Sequence, residues 1–129
     1  MNLLSNKFPT KELQMRDAAH HMHPFTAQAE LGEKGARVIT RASGVFVYDS
    51  EGEEILDAMS GLWCVNIGYG RHELAEVAAR QMKELSYYNT FFQTTHLPAI
   101  ELAEKLAELA PFDLNHLFFA SSGSEANDT

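Results

Sequence analysis

The chain has 129 residues, is 45% hydrophobic and carries a net charge of −8, which is one domain's worth of chain with enough apolar material for a core. The negative balance argues against nucleic acid or an anionic membrane surface as partner. Cys64 stands alone, so no disulfide framework exists within the chain, and no segment reaches transmembrane length. Met1 to Phe8 holds no apolar run of signal-peptide length, and the expectation is a soluble cytoplasmic protein.

In chain order, Glu12 to Met22 is predicted to form a helix with Leu13, Ala18 and Met22 loosely on one side, ended at His23-Pro24 because the residue before proline avoids helical angles. His20, His21 and His23 invite a metal reading. No two of them stand at i and i+4, and no thiolate or carboxylate pattern completes a set, so no metal is predicted. Residues 36 to 59 read as an antiparallel meander: Ala36 to Arg41, a turn at Ala42-Ser43-Gly44, Val45 to Asp49, a turn at Ser50-Glu51-Gly52, and Glu54 to Asp57. Asp49, Glu51 and Gly52 lack the closing glutamate of a calcium loop and are read as a solvated hairpin turn.

Ser60 to Arg71 packs three glycines, Trp63 and Tyr69 into a loop of low regularity, where large aromatics are either satellite core or ligand walls, and the residues by themselves favour core. His72 to Leu85 has the 3.6-residue period of an amphipathic helix, with Leu74, Val77, Ala78, Met82 and Leu85 on one face. Tyr87, Tyr88, Phe91 and Phe92 then crowd one short loop, a density that marks a site or a subunit interface. Pro98 opens a second helix with Leu102, Leu106 and Leu109 on its stripe, and Pro111 stops it. Leu117 to Ala120 is read as a buried strand. Ser121 to Ser124 make a tight turn, and Ser122 with Glu125 fits a capping box for a final helix. The free N–H groups at such a helix start, with Gly123 leaving room, suit a phosphate, although on pattern alone a well-capped helix after a strand, with no ligand, is the commoner reading. No lysine is near, so this is not a Walker loop.

Ser122-Gly123-Ser124-Glu125-Ala126-Asn127-Asp128-Thr129 resembles the phosphate-cup motif of class III aminotransferases, pyridoxal-phosphate enzymes of fold type I. The likeness extends back to Asp17, through His20, His23-Pro24-Phe25-Thr26, Gly44 to Asp49, Leu56-Asp57, Ser60 to Trp63, Asn66 to Gly70, Tyr88-Asn89 and Phe91 to Thr94. Within the family, Leu62-Trp63 and Phe91-Phe92 make the chain most similar to the ω-amino acid or polyamine:pyruvate branch.

The resemblance implies an α/β fold, of which this is the N-terminal portion. Residues 1–60 would form the N-terminal segment and small-domain meander, and 61–129 the start of the large cofactor-binding domain. It implies pyridoxal 5'-phosphate as cofactor, with Ser122, Gly123 and Ser124 at the phosphate. Phe25, Leu62 and Trp63 would wall the substrate pocket, and Phe91 and Phe92 would reach into the partner's site of a homodimer. The implied reaction moves an amino group from an ω-amine or ω-amino acid to pyruvate. It needs a lysine and a ring-nitrogen acid that the family carries farther downstream. Lys7, Lys11, Lys34, Lys83 and Lys105 all read as solvated, so no catalytic residue is assigned in this chain. The chain is expected to be part of something longer and inactive alone. A second reading, of a different class, is a non-catalytic truncated remnant that at most associates with an intact subunit.

Overall fold

The computed structural model describes residues 8–129. By contacts the chain divides within one helix, into a unit that runs through Ala75 and a unit from Glu76 to Thr129. Lys7, read above as solvated, lies outside the described residues.

The first unit begins with α1 (Thr10–His20) and α2 (Gln28–Lys34). α1 stops two residues short of the predicted Met22, because His21 is already extended at φ −120° and ψ 123°. α2 was not foreseen; it holds Gly32, a residue that ordinarily weakens a helix, and ends at Gly35. Gly35 closes α2 at φ +76°, and a Cβ there would lie 2.6 Å from the Gln14 side chain, which reaches past it to donate to the Ala36 carbonyl at 2.9 Å.

The meander follows as β1 (Ile39–Ser43), β2 (Phe46–Asp49) and β3 (Glu54–Leu56), an antiparallel sheet in the order β1-β2-β3. Aromatic and β-branched residues favour this pleat. The first strand is shifted towards the turn relative to the expected Ala36 to Arg41, because Ser43 still pairs with Phe46. Its register slips between Ile39 and Arg41, where the Thr40 hydroxyl reaches the Tyr48 and Asp49 carbonyls at 3.2 Å. The Arg41 guanidinium lies 3.3 Å from the Tyr48 ring centre, and the Tyr48 hydroxyl donates to Glu54 at 2.5 Å. The β2–β3 turn is tied by Asp49 Oδ1, which accepts from the Glu51 and Glu53 N–H groups at 3.0 and 2.9 Å. Among the described residues only Asp49 and Ser50 are buried, and no apolar side chain is.

α3 (Ser60–Trp63) is a single turn discussed below, and α4 (His72–Glu84) matches its predicted period. In the second unit α5 (Leu97–Leu109) starts at His96, whose side chain accepts from Ala99 N–H, with Pro98 in the first turn. It ends at Ala110, immediately before Pro111. The predicted strand at Leu117 to Ala120 does not form: these residues are unpaired, and Phe118 is 67% exposed. A strand exists only against a partner, and no described residue of this unit belongs to a strand. The unit closes with α6 (Gly123–Asp128).

Candidate functional site

α3 is a left-handed turn. φ is +52° at Ser60, +63° at Gly61, +76° at Leu62 and +67° at Trp63. Left-handed backbone costs an L-residue about 1–2 kcal/mol, and only glycine visits it freely, so three non-glycine residues in sequence need an external hold. Asp57 supplies it. Its Oδ1 accepts from Met59 N–H at 3.2 Å and its Oδ2 from Gly61 N–H at 2.8 Å. The Tyr69 hydroxyl donates to the same Oδ2 at 2.6 Å. That hydroxyl and then the Gly61 N–H hold the Asp57 carboxyl below its ordinary 3.8, while the carboxylate pushes Tyr69 above its ordinary 10.0. Gly61 is required, since a Cβ would lie 2.7 Å from Val65 Cγ2 and 3.0 Å from the Tyr69 hydroxyl. The turn presents Leu62 and Trp63 outward, at 71% and 84% exposure, so Trp63 is not the satellite core its residue type suggested: the left-handed turn aims it away from the sheet.

Phe25 is left-handed too, at φ +49° and fully exposed, on a loop that bonds to itself: Thr26 Oγ1 donates to the Pro24 carbonyl and Gln28 Nε2 to the His23 carbonyl. In the second unit Phe92 and Gln93 have φ of +53° and +66° in a turn closed by Thr94 N–H on the Phe91 carbonyl at 3.1 Å. Phe91 and Phe92 meet edge to face with ring centres 6.3 Å apart. Four of the five aromatic or apolar residues singled out for the pocket therefore stand on left-handed backbone. Such strain concentrates where a side chain must be aimed.

The Ser122 to Ser124 turn forms as read. Ser122 caps α6, its Oγ accepting from Glu125 N–H at 3.2 Å, and the Glu125 carboxylate returns to Ser121 N–H at 2.9 Å. The N–H groups of Gly123 and Ser124 fall in the first turn, where a helix offers them no acceptor of its own. The Ser122 hydroxyl uses its oxygen for the cap and keeps its proton to donate. Nothing stands within 4 Å of where a Gly123 Cβ would be. This donor set fits a phosphate. An open cleft of about 470 Å3 runs beside it within the same unit, lined by Tyr88, Phe91, His96, Ala99, Phe119 and Ser121 among others. Each unit thus holds part of the predicted set: Phe25, Leu62 and Trp63 in the first, Phe91, Phe92 and Ser122 to Ser124 in the second.

Two of the three histidines, His21 and His23, gather around a carboxylate that the sequence reading passed over. Asp17 stands four residues before His21 on α1; its Oδ1 lies 3.0 Å from His21 Nδ1 and its Oδ2 2.8 Å from His23 Nε2. The three donor atoms lie within 4.8 Å of one another. His23 first, and then His21, hold Asp17 below its ordinary 3.8. Asp57 and Tyr69 were also missed as a pair. Their signal was an aspartate four residues before the glycine of a glycine-rich loop, a placement suited to capping a turn.

The class III aminotransferase family, as a sequence model, matches residues 28–129. The chain belongs to that family. Over 129 residues it is 57% identical to a putrescine–pyruvate aminotransferase of Pseudomonas aeruginosa, covering 100% of this chain and 28% of that protein. In structure it is similar to a thermostable (S)-enantioselective ω-transaminase from Thermomicrobium roseum, with a TM-score of 0.90 and 47% identity over 95% of this chain and 27% of that one. It is also similar to an ω-transaminase from Pseudomonas jessenii in complex with PMP, with a TM-score of 0.85 and 40% identity over 90% of this chain and 26% of that one. The chain spans a little over a quarter of the length of these relatives. The α/β, fold type I expectation holds for the N-terminal portion of that fold.

Proposed function

We propose that this class III aminotransferase chain is the N-terminal portion of a pyridoxal 5'-phosphate-dependent transaminase that moves an amino group from an ω-amine, a diamine included, to pyruvate. The single observation that carries the amine and pyruvate assignment is the 57% identity, along the whole chain, to a protein named for putrescine and pyruvate. Gly123 and Ser124 N–H groups and the Ser122 and Ser124 hydroxyls are the donors for the cofactor phosphate. Phe25, Leu62 and Trp63 wall the amine side of the pocket and exclude water, and Phe91 and Phe92 serve the partner subunit of a homodimer. Bound pyridoxal phosphate supplies an electron sink for breaking a bond at the amine carbon. Residues 1–60 are assigned to an N-terminal segment and the small-domain meander, 61–129 to the start of the large domain, and the protein to the cytoplasm. No helix among the described residues is long and apolar enough to cross a membrane, which accords with that location.

The segment alone is inactive on this reading. Two observations support that. Lys34 and Lys105 are engaged with Glu30 and Glu108 on helix surfaces. No apolar side chain is buried among the described residues, so the aromatic edges stand open to solvent.

The test is the intact mass of the natural product with an absorbance spectrum after adding pyridoxal phosphate. A mass well above 14.4 kDa with a visible band that borohydride removes, and alanine formed from pyruvate and a diamine, is the expected result. A product of 14.4 kDa showing only the free cofactor's spectrum would instead favour a non-catalytic remnant.

A further inference from the structure

The Asp57–Tyr69 pair sits beside the Ser60 to Trp63 turn of its own unit, where the backbone most needs support. Residues 58–68 form a loop with both feet tied to the meander. Asp57 N–H donates to the Val45 carbonyl at 2.9 Å. Tyr69 N–H donates to the Gly44 carbonyl at 2.8 Å, and Gly44 N–H returns to the Tyr69 carbonyl at 3.2 Å. Between the feet one carboxylate does two things at once. It receives the Tyr69 hydroxyl, closing the stem, and it receives the Met59 and Gly61 N–H groups, capping the left-handed turn. The two functions share Oδ2, so loosening the stem loosens the cap.

We propose that Asp57 and Tyr69 are positioning residues that hold the Leu62-Trp63 edge at a fixed distance and so set how wide an amine the enzyme accepts. The physical reason is the backbone. A turn of L-residues at positive φ does not persist unsupported. Released, Leu62 and Trp63 return to ordinary angles, and side chains that now stand out from the turn swing to other directions. The inference rests on the reading that these two residues wall the amine pocket. It adds that the wall's position is governed from the meander, through a contact spanning twelve residues of sequence.

The experiment uses the complete polypeptide that carries this segment. Tyr69→Phe removes one hydroxyl and Asp57→Asn removes the charge while keeping an acceptor. Hydrogen exchange of the Met59 to Cys64 amides is followed together with steady-state kinetics for a slim diamine and a branched amine. The expected result is about tenfold faster exchange confined to this turn, with β1–β3 unchanged. KM for the diamine rises several-fold while kcat holds within about twofold, and the preference for the diamine over the branched amine narrows. Wild-type exchange in both variants overturns the proposal. So does faster exchange without a change in KM, when Trp63→Ala does change it. If Trp63→Ala leaves both amines unaffected, the wall reading fails, while the exchange data still decide whether the pair holds the turn. If both variants also expose β1–β3, the pair is a folding element and the positioning role is rejected.

Discussion

Two aromatic edges of this chain are built on left-handed backbone, and they are held by different chemistry. At Ser60 to Trp63 the hold is a carboxylate, Asp57, taking two backbone N–H groups and a phenol, with its feet bonded to a sheet. At Phe91 to Thr94 the hold is neutral. Asn89 Oδ1 accepts from Phe91 N–H at 2.9 Å, and the Thr94 hydroxyl donates to the Phe91 carbonyl at 2.6 Å. Hydrogen bonds to a charged group are roughly twice as strong as neutral ones. The charged hold carries three positive-φ non-glycine residues, the neutral one two. More strain goes with the stronger hold, and each edge is specified by side chains just outside it.

The largest disturbance of this comparison is at the foot of the first edge. Gly68 has φ +82°, and a Cβ there would lie 2.9 Å from the Gly44 carbonyl oxygen, backbone against backbone. Gly68→Ala is expected to cost roughly 2–3 kcal/mol by denaturant unfolding and to free the Gly44–Tyr69 bridge. Gly70→Ala, at φ +76° with nothing within 4 Å, should cost only the backbone term of about 1 kcal/mol. Equal losses at the two glycines would deny that the foot is sterically tied.

Next is the neutral hold. Asn89→Ala is expected to weaken the Phe91 to Thr94 turn by about 1 kcal/mol, read as faster exchange there and none at Ser60 to Trp63. Ser122→Ala should cost the α6 cap about 1 kcal/mol, and Ser122→Gly only a few tenths. Both replacements also lose one phosphate donor, so pyridoxal phosphate affinity should fall alike in the two while helix stability does not. Affinity tracking helix stability instead would mean the serine acts only as a cap.

The smallest effect separates the two holds by pH. Asp57 is depressed below 3.8 in the folded chain, so its contribution is present above that value and fades as pH falls through the depressed one. Tyr69 is raised above 10.0, so its contribution is present below 10.0 and is lost as pH rises past the raised value. Exchange at Ser60 to Trp63, corrected for its intrinsic pH dependence, should be flat from about pH 5 to 9 and rise outside. At Phe91 to Thr94, held by groups that do not titrate, it should stay flat throughout. A change at Phe91 to Thr94 that followed the first edge would show that the neutral turn depends on charge after all.

Much of the fold is local and was legible. The three-strand meander follows from β-rich runs broken at Gly44 and Gly52, and α4 and α5 from a 3.6-residue apolar period with proline near both ends of α5. The α6 cap follows from Ser122 and Glu125 alone. α2 was hidden by Gly32 and Gly35, because glycine reads as a break wherever it falls. Leu117 to Ala120 looked like a strand because it is apolar and aromatic; pairing needs a second strand, which is a property of the surroundings.

The amino-acid sequence by itself determined which stretches are helical, where the meander turns, that Ser122 opens a donor-rich helix start, and the family to which those motifs belong. The structural features among these depend on short-range patterns, where propensity, capping and turn chemistry act, and the family on several such motifs standing in order along the chain. Only the tertiary structure decided that Tyr69 reaches back to Asp57 beside the left-handed Leu62 and Trp63, while Phe25 and Phe92 stand on left-handed backbone in locally bonded turns that no residue type announces. No aromatic side chain prefers that backbone. It is adopted because hydrogen bonds from outside the residue outweigh its cost, and those bonds exist only once the chain has folded.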